Sequence, residues 1–91
     1  PILRAQSLVV RDRLIAALES KGDQSMSFSE LTRDCTSRIE VVVRFMAVLV
    51  FFKQGVLQYR QNGPFEELHL RWVAGVDDAM SDVNISEGDF A

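Results

Sequence analysis

The few residues of this chain that could carry out chemistry are not spaced to form a catalytic or metal site. His69 is the only histidine and Cys35 the only cysteine, and no carboxylate accompanies them at a spacing typical of metal ligands. Glu66 and Glu67 are adjacent on a predicted strand, so their side chains point to opposite faces and cannot share a proton. No metal ion is expected.

The sequence also contains no motif for a catalytic nucleophile or a phosphate-binding loop. Ser25, Ser27 and Ser29 are not near a histidine in any motif, and nothing resembles a nucleophile elbow. The five glycines are dispersed, so they do not form a phosphate-binding loop. The sequence therefore predicts a protein that is not an enzyme and needs no cofactor.

Composition limits the classes of partner. The chain has 91 residues, enough for one domain with a modest core. Its net charge of -3 and pI near 5.0 oppose binding to nucleic acid and to anionic membranes. A single cysteine excludes an internal disulfide and fits a reducing, cytoplasmic compartment.

Neither a signal peptide nor a membrane span is predicted. The chain opens PILRAQ, which lacks both an initiator Met and the pattern of a secretory leader, so we expect a piece of a longer protein. A membrane-spanning helix needs about 20 largely apolar residues. The longest uncharged run in the apolar segment, residues 45–52, is much shorter and lies between Arg44 and Lys53.

The segment of residues 37–55 is the most informative in the chain. Ser37 and Glu40 have the spacing of a capping box, and Gly55 is the residue type that ends helices. Between them only Arg44 interrupts a run of Val, Phe, Met, Leu and Ala. A helix that is apolar on nearly every side is either buried or covered by a partner.

The remaining segments give the element order. A helical period covers residues 6–20, a short strand is predicted at 25–28, and a second capping box at Ser27 and Glu30 opens a short helix that reaches Cys35. Alternating residues on either side of a turn at 62–64 predict a hairpin of strands 56–61 and 66–73. This order indicates an α+β winged helix over residues 1–74, a three-helix bundle with a short strand and a C-terminal β-hairpin wing. Residues 75–91 are acidic and are predicted to form a flexible tail.

The third helix predicts a protein partner more strongly than DNA. On an ideal helical wheel its outward residues are Glu40, Arg44, Ala47 and Phe51, and a single arginine beside a glutamate and a phenylalanine reads DNA poorly. Phe51 is then either a core residue or an anchor for a partner. The predicted partner-binding residues are Arg44, Val48 and Phe51 on the helix and Tyr59, His69 and Arg71 on the wing.

Two other functions stay open at this point. The first is a winged-helix DNA-binding transcriptional regulator. Its affinity for DNA should fall steeply with salt, because phosphate contacts release counterions. A domain that associates with a second copy of itself would use the same exposed patch in a symmetric dimer.

The run from Ser27 to Trp72 resembles the C-terminal winged-helix domain of the ScpA family (segregation and condensation protein A), the bacterial kleisins. The marks are F-S-E-L at 28–31, S-R-I-E-V-V-V at 37–43, K-Q-G at 53–55 and P-F at 64–65. One departure is Glu66, which stands where the family pattern leads us to expect a glycine after P-F.

The resemblance implies a subunit of the SMC–ScpA–ScpB condensin complex, which condenses and segregates the bacterial chromosome. In that family this domain docks on the ATPase head of an SMC protein, while other parts of the protein hold the second SMC subunit and ScpB. The resemblance implies that the domain has no catalytic residues, that it meets DNA only through the complex, and that it is associated with the nucleoid in the cytoplasm.

Overall fold

The fold is described here from a computed structural model, which covers residues 2–20, 22 and 24–73. The predicted tail at 75–91 lies outside the described residues. The elements in chain order are α1 (Ile2–Glu19), β1 (Met26–Ser27), α2 (Phe28–Leu31), α3 (Arg38–Lys53), β2 (Leu57–Arg60) and β3 (His69–Trp72). The predicted α+β winged-helix order is confirmed.

Both predicted N-cap serines form the expected hydrogen bond with the helix backbone. The Ser27 hydroxyl accepts the N–H of Glu30 (3.1 Å) at the start of α2, and the Ser37 hydroxyl accepts the N–H of Glu40 (3.3 Å) at the start of α3. Each cap satisfies one of the backbone donors that a helix N-terminus leaves unpaired. These hydrogen bonds fix the start of α3.

The predicted end of α3 is also confirmed. Gly55 has φ +81, in the left-handed region that glycine enters without a Cβ penalty. The N–H of Val56 donates to the carbonyl of Phe51 (3.1 Å) and that of Gly55 to Phe52 (3.0 Å), the paired bonds of a Schellman motif. The chain leaves the helix there and enters β2 two residues later.

Two helix boundaries differ from the sequence prediction, and each strand is shorter than predicted. Strand β3 begins at His69, so Glu66 and Glu67 lie in the loop before it and not on the predicted strand. Helix α1 begins at Ile2 instead of residue 6, because Leu3 packs against the core and its carbonyl accepts the Ser7 hydroxyl (2.6 Å). Helix α2 ends at Leu31 instead of Cys35, where the N–H and hydroxyl of Thr32 both donate to the carbonyl of Phe28 (3.0 and 2.9 Å).

The three strands form one antiparallel sheet in the order β1-β3-β2. Leu57 pairs with Trp72 and Tyr59 with Leu70, whereas Gln58 pairs with Arg71 and Arg60 with His69. Since side chains alternate along a strand, the first two pairs share one face and the last two share the other. The inner face therefore carries the apolar residues, as the alternation predicts.

The core joins α1, α3 and the inner face of the sheet. Val10 and Leu14 of α1 and Leu70 of β3 are completely buried, and Phe51 of α3 meets Trp72 of β3 edge-on with ring centroids 5.0 Å apart. Edge-to-face aromatic pairs of this kind add to the stabilisation that area burial provides. The core thus uses one face of α3, and the side chains of the opposite face stay about half exposed among the described residues.

Candidate protein-docking face

The exposed face of α3 is an apolar stripe. Its side chains recur every three or four positions, the spacing of one helical face, and each is between 41% and 57% exposed. We call these residues the α3 stripe: Ile39, Val42, Phe45, Leu49 and Phe52. Isolated exposed apolar residues are ordinary on protein surfaces, but a contiguous row of five large ones is a candidate interaction surface.

The C-terminal half of the stripe borders a groove of about 340 Å³ between α3 and the wing. Phe45, Leu49 and Phe52 line it on the helix side, and Leu57 and Tyr59 line it on the sheet side. Val48 is only 3% exposed and also lines the groove. Gln61 and Leu68 complete the lining next to the wing loop.

Aromatic contacts hold two residues of the α3 stripe in place. The Phe52 ring meets Tyr59 edge-on with centroids 5.1 Å apart, and Phe45 meets Phe28 in the same way at 5.6 Å. A ring that is already ordered loses little conformational entropy when a partner covers it. The stripe therefore presents preorganised aromatic anchors.

The sequence-based prediction for α3 had the wrong orientation. Arg44 is 3% exposed, Ala47 is fully buried and Phe51 is 1% exposed, so the face predicted to point outward is the inward one. Arg44 and Phe51 therefore do not belong to the exposed face of α3. Val48 keeps a place there as a nearly buried residue of the groove.

The buried guanidinium of Arg44 is satisfied by partners from three other parts of the fold. It donates to Gln6 Oε1 on α1 (2.8 Å), to the Leu31 carbonyl at the end of α2 (2.8 Å), and to Asp34 Oδ1 in the following loop (2.7 Å). A buried charge is stable only when it is paired and hydrogen-bonded in this way. The hydrogen bonds of Arg44 thus link α3 to the rest of the helical bundle.

Asp34 accepts from Arg13 of α1 as well as from Arg44, so one carboxylate bridges two arginines. The hydrogen bonds from Arg13, and then those from Arg44, hold the pKa of Asp34 well below its usual range. Since the side chain is half exposed, water screens part of this interaction.

Acid is expected to remove the contribution of Asp34 to stability. Because the pKa is lower in the folded state, the contribution is complete above the unfolded value of about 3.9 and is lost as the pH falls below it. At pH 7 the thermal midpoint of the Asp34→Asn variant should lie below that of the wild type, and the gap should narrow below pH 4. Calorimetry of both proteins from pH 7 to 3 measures this gap, and a gap that stays constant would contradict the role of the carboxylate charge.

The three predicted wing residues lie in different surroundings. Tyr59 is 56% exposed and lines the groove beside Phe52. His69 and Arg71 belong to the outer face of the sheet, where Arg71 donates to Gln58 Oε1 (3.3 Å). The groove thus includes one of the three, and the outer sheet face holds the other two.

Within residues 2–20, 22 and 24–73, no three His, Cys, Asp or Glu side chains gather as a metal site would require. Burial raises the pKa of the Cys35 thiol, which disfavours the reactive thiolate form. Among the same residues, no helix combines the length and apolar character needed to cross a lipid bilayer.

Comparison with known proteins agrees with this geometry. The family model described as segregation and condensation protein ScpA matches residues 4–73, which include every helix and strand apart from the first two residues of α1. The chain belongs to the ScpA family. The resemblance noted in the sequence is confirmed.

The curated relatives are longer proteins. Segregation and condensation protein A of Halothermothrix orenii is 28% identical over 76 residues, which are 80% of this chain and 31% of that protein. The protein of the same name from Clostridium tetani is 31% identical over 48 residues, covering 53% of this chain and 19% of the relative. The chain therefore spans less than a third of the ScpA relatives it matches. No solved structure matches it.

Proposed function

We propose that this chain is the part of a ScpA-family kleisin that docks on the ATPase head of an SMC protein, and that the contact helps close the ring that condenses and segregates chromosomes. The observation that carries the proposal is the α3 stripe. It is a row of five exposed apolar side chains on a domain whose family is named for chromosome segregation and condensation.

The chemistry of the α3 stripe supports a protein partner. Burial of large aromatic and aliphatic side chains supplies most of the affinity at protein interfaces, and such anchors lie near the centre of the contact. Phe45, Leu49 and Phe52 beside the groove have this character. The domain would contribute binding surface and no catalytic group, with ATP hydrolysis left to the SMC head.

The DNA-binding alternative has less support. In winged-helix proteins that read DNA, the third helix needs polar or basic side chains on its exposed face to reach base edges and phosphates. In α3 the exposed basic residues, Arg38 and Lys53, stand at the two ends of the helix, and the five residues of the α3 stripe between them are apolar. The two arginines of the wing strands, Arg60 and Arg71, lie on the outer face of the sheet with His69, away from the stripe.

Co-purification of the 91-residue chain with a matching SMC head, with and without ATP, tests the proposal. We expect a complex that survives size-exclusion chromatography and contains one copy of this chain per head. Light scattering on the chain alone should give a mass close to 10.3 kDa. A mass of twice that value together with no binding to the head would instead identify the α3 stripe as a dimer interface.

A DNA titration at low salt serves as the counter-test. The proposal predicts negligible affinity of the isolated chain for duplex DNA. Tight binding that weakens steeply with added salt would favour the regulator, because that dependence reports the release of counterions from phosphates.

A further inference from the structure

The loop at the tip of the wing carries a phenylalanine whose side chain does not pack against the described core. Phe65 lies between β2 and β3 and is fully exposed, at 104% of its reference area. Its ring belongs neither to the core nor to the groove beside α3. An aromatic ring left wholly in water is unfavourable, so it is informative when the surrounding loop holds it there.

The backbone at Phe65 is strained. Its φ is +64, in the left-handed region that bulky residues with a Cβ rarely adopt. A glycine would adopt the same conformation at less cost. Non-glycine residues held in this region concentrate at binding and catalytic sites, where the surrounding structure fixes them in place.

Hydrogen bonds hold the wing loop in this shape. The N–H of Glu66 donates to the Gly63 carbonyl (3.1 Å), which closes a turn around Pro64 and Phe65. The side-chain amide of Gln61 donates to the Glu66 carbonyl (2.8 Å), which ties the far side of the turn back to the end of β2. Phe65 is therefore presented by an ordered loop, which reduces the entropy lost on binding.

The wing loop adjoins the proposed docking face. Gln61 and Leu68, which flank residues 62–67, both line the groove beside α3. One partner seated on the groove can therefore reach the wing loop without a change of fold. On the other side of Phe65, Glu66 and Glu67 are both exposed carboxylates.

We infer that Phe65 is a second anchor for the partner that covers the α3 stripe, and that it inserts into an apolar pocket of that protein whose rim is basic. The apolar pocket follows from the exposed ring, and the basic rim follows from the two carboxylates beside it. The inference rests on the proposed function and adds a contact point to it. A membrane is the less suitable occupant, since the same carboxylates are repelled by anionic lipid.

Isothermal titration of the SMC head with the wild type and with Phe65→Ala and Phe65→Gly variants tests the inference. We expect both variants to bind at least about tenfold more weakly, the range for loss of an aromatic anchor. Phe65→Gly should unfold at the same temperature as the wild type or higher, because glycine relieves the strained backbone. Ile2→Ala removes an exposed apolar side chain from α1, well outside the loop, and should change affinity less than twofold.

A separate experiment tests whether the rim of the pocket is basic. The double variant Glu66→Gln with Glu67→Gln should lose affinity severalfold at low salt, and the loss should disappear near 1 M salt, where exposed charges are screened. If the double variant and the wild type bind with equal affinity at low salt, the basic rim is wrong.

The outcomes separate the two proposals. If the wild type binds the head and Phe65→Ala binds within twofold of it, the wing-tip anchor is wrong and docking through the α3 stripe stands. If the wild type does not bind the head, both are wrong. Wild-type binding to vesicles rich in anionic lipid that Phe65→Ala abolishes would assign the ring to a membrane and overturn the inference. A lower melting temperature of Phe65→Gly would show that Phe65 stabilises the fold and is not kept for a partner.

Discussion

Replacement of Phe51 by alanine is expected to lower the free energy of unfolding by about 3–5 kcal/mol, the usual range for a buried phenylalanine. The ring is 1% exposed and packs edge-on against Trp72, so its removal leaves a cavity between α3 and the sheet. Small domains have a total stability of about 5–15 kcal/mol, and a loss of this size therefore brings the chain close to unfolding at 37 °C. A denaturant titration monitored by tryptophan fluorescence measures this loss of stability, because Trp72 is the only tryptophan.

The neighbouring residue provides a matched control. Phe52 has the same side chain on the same turn of α3 but is 48% exposed, and its main ring contact is Tyr59 at the surface. We expect Phe52→Ala to cost about 1 kcal/mol or less of stability, as surface substitutions usually do, and to weaken binding of the SMC head. Equal destabilisation by the two variants, or a Phe51→Ala protein as stable as the wild type, would contradict the orientation of α3 described here.

Local signals explain why the element order could be predicted from the sequence. The two capping boxes each need only two residues three positions apart, and the end of α3 needs only Gly55. The period of two in the wing predicted the burial of Leu70 and Trp72 in the same way. Each of these features depends on residues that are neighbours in the chain.

The orientation of α3 could not be obtained from local signals. The helix is apolar on both faces, so its periodicity does not distinguish the core face from the docking face. Arg44 was predicted to face solvent, because the helical wheel places it with Glu40 outside the apolar arc. Arg44 is buried nonetheless, since Gln6 and Asp34, 38 and 10 positions away in the sequence, provide its hydrogen-bond partners.

Side-chain size separates the two faces only in part. Four of the six buried residues of α3 are small or medium, Val43, Ala47, Val48 and Val50, and the other two are Arg44 and Phe51. The opposite face carries larger ones, including Phe45, Leu49 and Phe52. A helix packed closely against another helix and a sheet favours small contact residues, whereas a face that awaits a partner can carry large anchors.

Replacement of Leu49 by glutamate is expected to weaken binding of the SMC head by about a hundredfold or more. Leu49 lies between Phe45 and Phe52 in the α3 stripe and lines the groove, so a docked partner would bury the new carboxylate without a partner charge. The desolvation of an unpaired charge costs several kcal/mol, and about 2.7 kcal/mol already corresponds to a hundredfold change in affinity. The fold should tolerate the change, because Leu49 is 46% exposed and leucine and glutamate have similar helix propensities.

Two controls make the result specific to the α3 stripe. Gln58→Glu adds the same charge to the outer face of the sheet and preserves an acceptor for Arg71, so it should leave affinity within about twofold. Leu49→Met keeps the apolar volume and should bind nearly as well as the wild type. Titration calorimetry of the three variants, with circular dichroism to confirm the fold, distinguishes the possibilities. If Leu49→Glu remains folded and binds like the wild type, the partner uses another surface, and the outer sheet face with Arg60, His69 and Arg71 becomes the next region to test.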